Sequence, residues 1–445
     1  MRVLVAVLLV GIAGCGGEET SPADVAAPSS PAVAPVKAEN AAAGAPKTKP
    51  LNSEDVSEAE PKDLSQERTE TPTDVPSDQS SDDAVAALEK LGASVRQDGQ
   101  GNVVGLTLQG TKITDTRLAH LKGLTNLQAL HLYVTQVTDA GLVHLKGLTN
   151  LQQLNLLGGS ITDAGLVHLK GLIKLRTLSL DHNQVTGAGL VHLKGLTRLE
   201  TLNLSETQIT GEGLVHLKGL ADLRSLNLSG KYDPRSRSQI TDAGLVHLKD
   251  LTSLRSLDLA DTQVTDAGLV YLKGLTNLTS LSLTSTKITD SGLVNLKGLA
   301  NLQTLSLHRT NITDVGLVHL AALKLQRLNI PKQAQTDLGL KHYLAALGPQ
   351  RFLHLSRAGR TDAEWSVTDA GLVHLTGQAE LRTLNLRGTK VTDAGLLHLA
   401  GLSSLRTLML DDTEITDAGL VHLKGMANLQ KLYLYETQIT DAGLV

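Results

Sequence analysis

Residues 137–156 read VTDAGLVHLKGLTNLQQLNL, and variants of this segment recur along the chain. A fixed sequence period of this length indicates a solenoid, in which each repeat stacks on its neighbours. The third position of the segment is Asp or Gly at fourteen places, most of them 24 residues apart: Asp115, Asp139, Asp163, Gly187, Gly211, Asp242, Asp266, Asp290, Asp314, Asp337, Asp369, Asp393, Asp417 and Asp441.

The apolar residues of each repeat follow two different periods. Leu154 and Leu156 alternate as they would on a β-strand, whereas Leu142, Leu145 and Leu148 recur at i, i+3 and i+6, as on one face of a short helix. Each leucine gains roughly 1.5–3 kcal/mol when fully buried, and only stacking of repeats makes that burial available. The pattern therefore predicts an α/β solenoid with a parallel sheet on one face and short helices on the other.

The frame Leu151-x-x-Leu154-x-Leu156, followed by Ile161, resembles the leucine-rich repeat superfamily over residues 103–445. Within it, the Ile-Thr-Asp-x-Gly-Leu signature is similar to the cysteine-containing subfamily found in F-box proteins of ubiquitin ligases. The resemblance implies a curved horseshoe whose concave sheet binds other proteins. A substrate-recognition role like that of F-box proteins is one alternative, although no F-box helices are recognisable before the repeats.

Three polar rows run through the repeats, and each has a structural interpretation. The row that is mostly Thr, and once Asn183, predicts side-chain hydrogen bonds to the backbone at a turn. The Asp row precedes the helical segment and twice becomes Gly, which predicts helix N-caps rather than metal ligands. Eleven of the 15 histidines recur at one convex position, and adjacent helices about 8–10 Å apart do not bring them onto one ion. We therefore expect no metal and no cofactor.

The N-terminus has the features of an export signal. Arg2 precedes an apolar run over residues 3–13 that is too short to span a bilayer. Ile12-Ala13-Gly14-Cys15 resembles the bacterial lipobox, and Cys15 is the single cysteine of the chain. This resemblance implies that residues 1–14 are a signal peptide and that Cys15 is lipidated, which anchors the exported protein in a bacterial cell envelope. The alternative is an ordinary secretory signal with an incidental cysteine.

The rest of the chain falls into regions of different amino-acid composition. Residues 15–80 are predicted to be a disordered tether, since residues 16–80 hold nine of the 12 prolines and a net charge of −8 (5 basic minus 13 acidic residues). A cap helix and strand start are predicted over 81–105, and a solenoid of about 14 units over 106–445, with the last one incomplete. The uncapped end is expected to fray, to pair with another copy, or to reflect a truncated reading frame. Residues 81–445 carry 35 basic and 32 acidic residues, a net charge of +3 that does not favour nucleic-acid binding.

The candidate ligand-binding residues lie where the repeats lose their consensus. Two insertions of similar length follow strands five repeats apart, and we expect them on one rim about 24 Å from each other. Arginine and aromatic side chains are typical of interface hot spots. The candidates are His308, Arg309, Lys332, Phe352, His354, Arg357, Arg360 and Trp365, with Lys231, Tyr232, Arg235 and Arg237 in the first insertion. A weaker patch is Met409, Lys431, Tyr433 and Tyr435. The alternative is that both insertions are neutral loops.

The enzyme motifs we sought are absent from the sequence. Gly99-x-Gly101-x-x-x-Gly105 has the wrong spacing for a dinucleotide loop, and no Gly-x-Ser-x-Gly or P-loop segment occurs. The predicted function is non-enzymatic binding of a protein or polysaccharide at the cell envelope. A structural spacer or adhesin without a discrete site is the third hypothesis.

Overall fold

A computed structural model describes residues 81–110, 112–230, 238–356 and 365–444. Several of the predictions fall outside these residues. They concern the signal and tether with Cys15, Lys231, Tyr232, Arg235 and Arg237 of the first insertion, and Arg357 and Arg360 of the second.

Fifteen strands form two sheets within the described residues. The first strand is antiparallel to the second, and all later pairings are parallel in chain order. The 11-stranded sheet, called the long sheet below, comprises β1 Ser94–Gln97, β2 Val103–Gln109, β3 Ala129–Tyr133, β4 Gln153–Leu157, β5 Thr177–Ser179, β6 Thr201–Asn203, β7 Ser225–Asn227, β8 Ser256–Asp258, β9 Ser280–Ser282, β10 Thr304–Ser306 and β11 Arg327–Asn329. The four-stranded sheet comprises β12 Phe352–His354, β13 Thr383–Asn385, β14 Thr407–Met409 and β15 Lys431–Tyr433.

Short helices cover the opposite, convex side. The α-helices are α1 Ser81–Lys90, α2 Asp163–Leu166, α3 Asp242–Leu245, α4 Asp337–Ala346, α5 Asp369–Leu372 and α6 Asp393–Leu396. The 3-10 helices are Asp115–Leu121, Gly141–Leu145, Val167–Leu169, Gly187–Leu193, Gly211–Leu217, Val246–Leu248, Gly268–Leu272, Gly292–Leu296, Gly316–Leu320, Lys332–Ala334, Val373–Leu375, Leu397–Leu399, Gly419–Leu423 and Asp441–Leu444. Both the α/β solenoid and its parallel sheet were predicted correctly.

The core is a column of leucines between sheet and helices. Leu154 of β4 pairs in register with Leu178 of β5, and both are fully buried together with Leu142 and Leu145 of the helical side. The predicted Thr row is also confirmed, because its hydroxyls donate to carbonyls three residues earlier, for example Thr262 to Leu259 at 2.7 Å. Consensus rows thus make the scaffold, and outward strand positions are free to vary.

The Asp row has a different role from the predicted one. Thr162, the residue before Asp163, is the helix N-cap and accepts a hydrogen bond from the Ala164 N–H. The carboxylate of Asp139 reaches the next repeat, where it accepts from the Thr162 N–H at 2.8 Å and from the Thr162 hydroxyl. We call this contact a carboxylate joint. It recurs at Asp115–Thr138, Asp163–Thr186, Asp242–Thr265, Asp266–Thr289, Asp290–Thr313, Asp337–Thr368, Asp369–Thr392, Asp393–Thr416 and Asp417–Thr440, and through the hydroxyl alone at Asp314–Thr336.

Two consecutive joints replace the carboxylate with glycine. A Cβ atom on Gly213 would lie 2.2 Å from the Gly187 Cα, and one on Gly244 would lie 2.5 Å from the Gly211 Cα. Backbone therefore touches backbone at these glycine joints. At the carboxylate joints the same glycine position accommodates the Asp instead, since a Cβ on Gly165 would lie 2.3 Å from the Asp139 Oδ1.

The two sheets meet at α4. This helix has ten residues, and Ala345 stands where most repeats carry a helix-weakening glycine. Trp365 packs edge-on against Tyr343 of α4, with ring centroids 5.3 Å apart, and is 4% exposed. Burial raises the pKa of the Tyr343 hydroxyl to about 12. Trp365 is therefore a core residue that links the repeats of β11 and β12, and its prediction as a ligand contact was wrong.

Candidate functional site

The outward side chains on the concave face of the long sheet are small and polar, and three of them bond their own backbone. From β5 to β10 the outward strand positions are Ser, Thr, Asn and one Asp: Thr177, Ser179, Thr201, Asn203, Ser225, Asn227, Ser256, Asp258, Ser280, Ser282, Thr304 and Ser306. The Asn203 and Asn227 side-chain oxygens accept the N–H groups two residues later, at 3.0 and 2.9 Å. The side-chain oxygens of these two amides are therefore used in the local turn.

The position just before each strand forms a further row along the edge of the sheet. In the long sheet Arg176, Glu200 and Arg224 stand just before three consecutive strands. The Glu200 N–H donates to the Arg176 carbonyl and the Arg224 N–H to the Glu200 carbonyl, both at 2.8 Å. The Glu200 carboxylate pairs with the Arg176 guanidinium and, at 3.2 Å, with the Arg224 guanidinium. Both arginines beside Glu200 are thus paired with a carboxylate within the protein.

In the four-stranded sheet the same row consists of arginines at three consecutive strands. Arg351, Arg382 and Arg406 stand on consecutive strands, linked by backbone hydrogen bonds of 2.8 Å, and we call them the arginine row. All three side chains are exposed. Among the described residues no carboxylate oxygen lies within 4.0 Å of their guanidinium nitrogens.

Larger side chains stand beside the arginine row. Phe352 follows Arg351 on β12 and is 61% exposed on the sheet face. His354 is outward on the same strand and exposed, and Met409 and Tyr433 occupy its register position two and three strands on. This patch joins cations to apolar surface, a combination that the long sheet lacks from β5 to β10.

The structure brings only part of the predicted constellation together. Phe352 and His354 share one strand and one face. His308 follows β10 and is half-buried, while Arg309 is exposed at a backbone φ of 55°. Lys332 is exposed at the start of a 3-10 helix that follows β11.

Sequence reasoning missed two functional candidates, Arg382 and Arg406. Their signal was present, because both precede a Thr-Leu-x strand by one residue, as Arg351 precedes Phe352. The eight undescribed residues of the second insertion disrupt the repeat period at this point and obscured the alignment of Arg351 with the other two.

Three consecutive histidines of the convex row have lowered pKa values. Burial, followed by the charge of a neighbouring lysine, lowers the pKa of His168, His192 and His216. Their Nδ1 atoms are buried without a hydrogen-bond partner. Within the described ranges no group of three or more His, Cys, Asp or Glu side chains is placed to hold a metal ion.

Apolar side chains of residues 417–444 line a cavity. This cavity of about 520 Å³ is lined by Leu420, Met426, Leu432, Leu434 and other residues of 417–444. Across the described part of the chain, no helix combines the length and apolar character needed to cross a membrane.

Comparisons with known proteins agree with this architecture. Models of the leucine-rich repeat match residues 173–231, 252–298, and 298–321 with 380–400. A leucine-rich repeat protein of Leptospira interrogans superimposes with a TM-score of 0.52 at 19% identity, over 77% of this chain and 86% of that one. The internalin InlF of Listeria monocytogenes gives a TM-score of 0.46 at 22% identity, over 79% and 94%. No curated protein matches the sequence. Residues 173–231, 252–321 and 380–400 thus match leucine-rich repeat models, and the described part of the chain has the α/β solenoid fold of leucine-rich repeat proteins.

Proposed function

We propose that this chain is a non-enzymatic scaffold that binds a partner protein through the concave face of the four-stranded sheet. The observation that carries the proposal is Phe352, whose ring is 61% exposed on a strand beside the arginine row. A large ring on a rigid sheet gains free energy when a partner covers it, and aromatic and arginine side chains dominate binding energy at protein interfaces.

We further propose that the scaffold is held at a bacterial cell envelope by lipid on Cys15. The Ile12-Ala13-Gly14-Cys15 segment supports this anchor, and residues 16–80 supply a polar tether. In this proposal residues 16–80 act as a coil of 65 residues, whose ends would lie roughly 40–50 Å apart and present the solenoid away from the membrane surface.

The binding proposal is tested by cross-linked capture with the full chain and two matched variants. Phe352→Thr places at this row the residue that β13 and β14 carry, Thr383 and Thr407. Ile173→Thr, the control, removes a side chain that is 59% exposed away from the concave strands, at a position where other repeats carry Thr. We expect the amount of captured protein partner to fall at least about tenfold with Phe352→Thr and to stay unchanged with Ile173→Thr.

Other outcomes of the capture are equally informative. Equal capture by both variants would move the site away from β12. A captured partner that resists protease and yields to glycosidase would replace the protein with a polysaccharide. No partner with the parent chain would favour a structural spacer.

The anchor is tested by Cys15→Ser in the full chain, expressed in a bacterial host. We expect the protein to move from the membrane fraction to the soluble fraction, because a removed acyl chain loses about 0.8 kcal/mol per buried CH₂ group. An unchanged membrane fraction would show that Cys15 is incidental.

A further inference from the structure

We propose that the arginine row binds an acidic segment of the partner in extended conformation, with carboxylates at alternate residues. This inference rests on the proposed function and names the chemistry of the partner. The site is formed by Arg351, Arg382 and Arg406, with Phe352 at one end.

The row is built as a ladder of cations. Adjacent strands lie about 4.8 Å apart, so the Cα atoms of Arg351 and Arg406 are roughly 10 Å apart along the row. Each guanidinium offers a planar fork of N–H donors that matches a carboxylate with two parallel hydrogen bonds. Because the side chains are exposed, the forks are accessible without rearrangement of the sheet.

The charges of the ladder are uncompensated among the described residues. Like charges on neighbouring strands repel each other, so an anion that lies along the row relieves a repulsion the folded protein otherwise carries. In the long sheet Glu200 stands between Arg176 and Arg224 and makes this compensation internally. The four-stranded sheet has Arg382 at the corresponding middle place, which leaves the compensating carboxylate to come from a ligand.

The exposed Phe352 ring at one end of the row favours a peptide over a polyanionic polysaccharide, and the spacing of the row is compatible with an extended peptide. Alternate residues of an extended chain project to one side about 6.8 Å apart, which lies between the one-strand and two-strand spacings of the row. Flexible arginine side chains cover the remaining difference. Phe352 adds an apolar contact next to Arg351, which suits an aliphatic side chain of a peptide that flanks its acidic pair.

The test uses the full chain and two synthetic acetylated peptides that carry Leu-Glu-Ser-Glu-Ser-Glu or Leu-Gln-Ser-Gln-Ser-Gln. Arg382→Gln breaks the row at its centre, and Arg255→Gln is its matched control at the same row position of the long sheet. Glutamine is native to this row at Gln152, Gln303 and Gln430, so both variants are expected to fold.

We expect the acidic peptide to bind the parent chain, and its glutamine counterpart to bind at least about tenfold more weakly. Arg382→Gln should weaken binding of the acidic peptide about fivefold, and Arg255→Gln should weaken it less than about twofold. The difference should shrink as the salt concentration rises from about 0.05 M to about 0.5 M, because salt screens exposed charges.

Three results of the binding assays with peptides and polysaccharide would overturn the inference. They are equal binding of the two peptides, equal loss with Arg255→Gln and Arg382→Gln, and Arg382-dependent binding of a sulfated polysaccharide without binding of the acidic peptide. A partner protein captured equally by the parent and Arg382→Gln would also remove the arginine row from the site, yet the proposed function would stand. Absence of any captured partner would instead count against the proposed function itself.

Discussion

The long sheet and the four-stranded sheet share one repeat frame but differ in how they treat charge. At the strand edge, Glu200 compensates Arg176 and Arg224 in the long sheet, whereas the arginine row of the four-stranded sheet has no described carboxylate within ion-pair distance. The joints differ as well. The long sheet has two glycine joints among its carboxylate joints, whereas the described joints between the repeats of β12 to β15 are all carboxylate joints. The inward-facing rows maintain the fold. The charge and polarity of the outward-facing rows can therefore change abruptly between neighbouring regions.

The largest effect is expected where the two sheets meet. Trp365→Ala removes the ring that packs on Tyr343 of α4, and a buried Trp→Ala change costs about 3–5 kcal/mol. Because solenoid repeats depend mainly on their neighbours, the four-stranded sheet should unfold before the long sheet. Urea denaturation followed by far-UV circular dichroism should show two transitions in place of one.

Phe352→Ala is the control for this change, since it removes an aromatic ring that is largely in solvent. Its free energy of unfolding should stay within about 0.5 kcal/mol of the parent value. Similar destabilisation by both variants would contradict the assignment of Trp365 to the core and Phe352 to the surface.

The next effect distinguishes the two kinds of joint. Gly213→Ala drives a Cβ to 2.2 Å from the Gly187 Cα, so backbone must move, and we expect a loss of about 2–3 kcal/mol. Gly395→Ala meets the Asp369 Oδ1 instead, and a side chain can turn aside at the loss of its hydrogen bonds, which costs about 1–2 kcal/mol. Urea midpoints of the two variants measure the difference. The reverse order would show that carboxylate joints are the more rigid kind.

Much of the fold could be predicted because its signals repeat. The leucine period, the Thr row and the N-terminal cap helix α1 each rest on residues close in sequence. The partners of the Asp row could not be inferred, because Asp139 bonds Thr162, 23 residues later, and local spacing equally suits an N-cap. Trp365 was misplaced for a related reason, since the insertion before it hides that it lies two residues before the buried Val367.

The candidate site was less predictable than the fold. Composition drew attention to the region around Phe352. It could not show that the Phe352 ring is exposed while the Trp365 ring is buried, because the burial of Trp365 depends on packing against α4. The arginine row depends on register between strands that insertions separate in sequence. Comparing outward rows strand by strand, rather than composition by region, would have found it.

A smaller effect is expected at low pH, where the carboxylate joint between Asp417 and Thr440 weakens. Hydrogen bonds from the Thr440 hydroxyl and N–H lower the pKa of Asp417 from its ordinary value of 3.8. The joint therefore contributes its full stability above pH 3.8, and loses it as the pH falls through the lowered pKa of the folded state. Pepsin cleavage within residues 418–444 should accelerate over that range in the parent. In Asp417→Asn, which does not titrate, cleavage should lack this acceleration; a parallel rise would rule out the joint as its cause.

The smallest effect tests whether the long sheet can be given the character of the four-stranded one. Glu200→Gln removes both ion pairs, and since exposed pairs are each worth no more than about 1 kcal/mol, stability should fall by about 0.5–1 kcal/mol. The row Arg176, Arg224 and Arg255 would then lack its carboxylate, and the variant should bind a second equivalent of the Leu-Glu-Ser-Glu-Ser-Glu peptide, more weakly because no aromatic ring stands beside it. Titration calorimetry counts the sites. A stoichiometry that stays at one would mean that uncompensated arginines do not suffice, and that Phe352 supplies the part of the affinity which charge alone cannot.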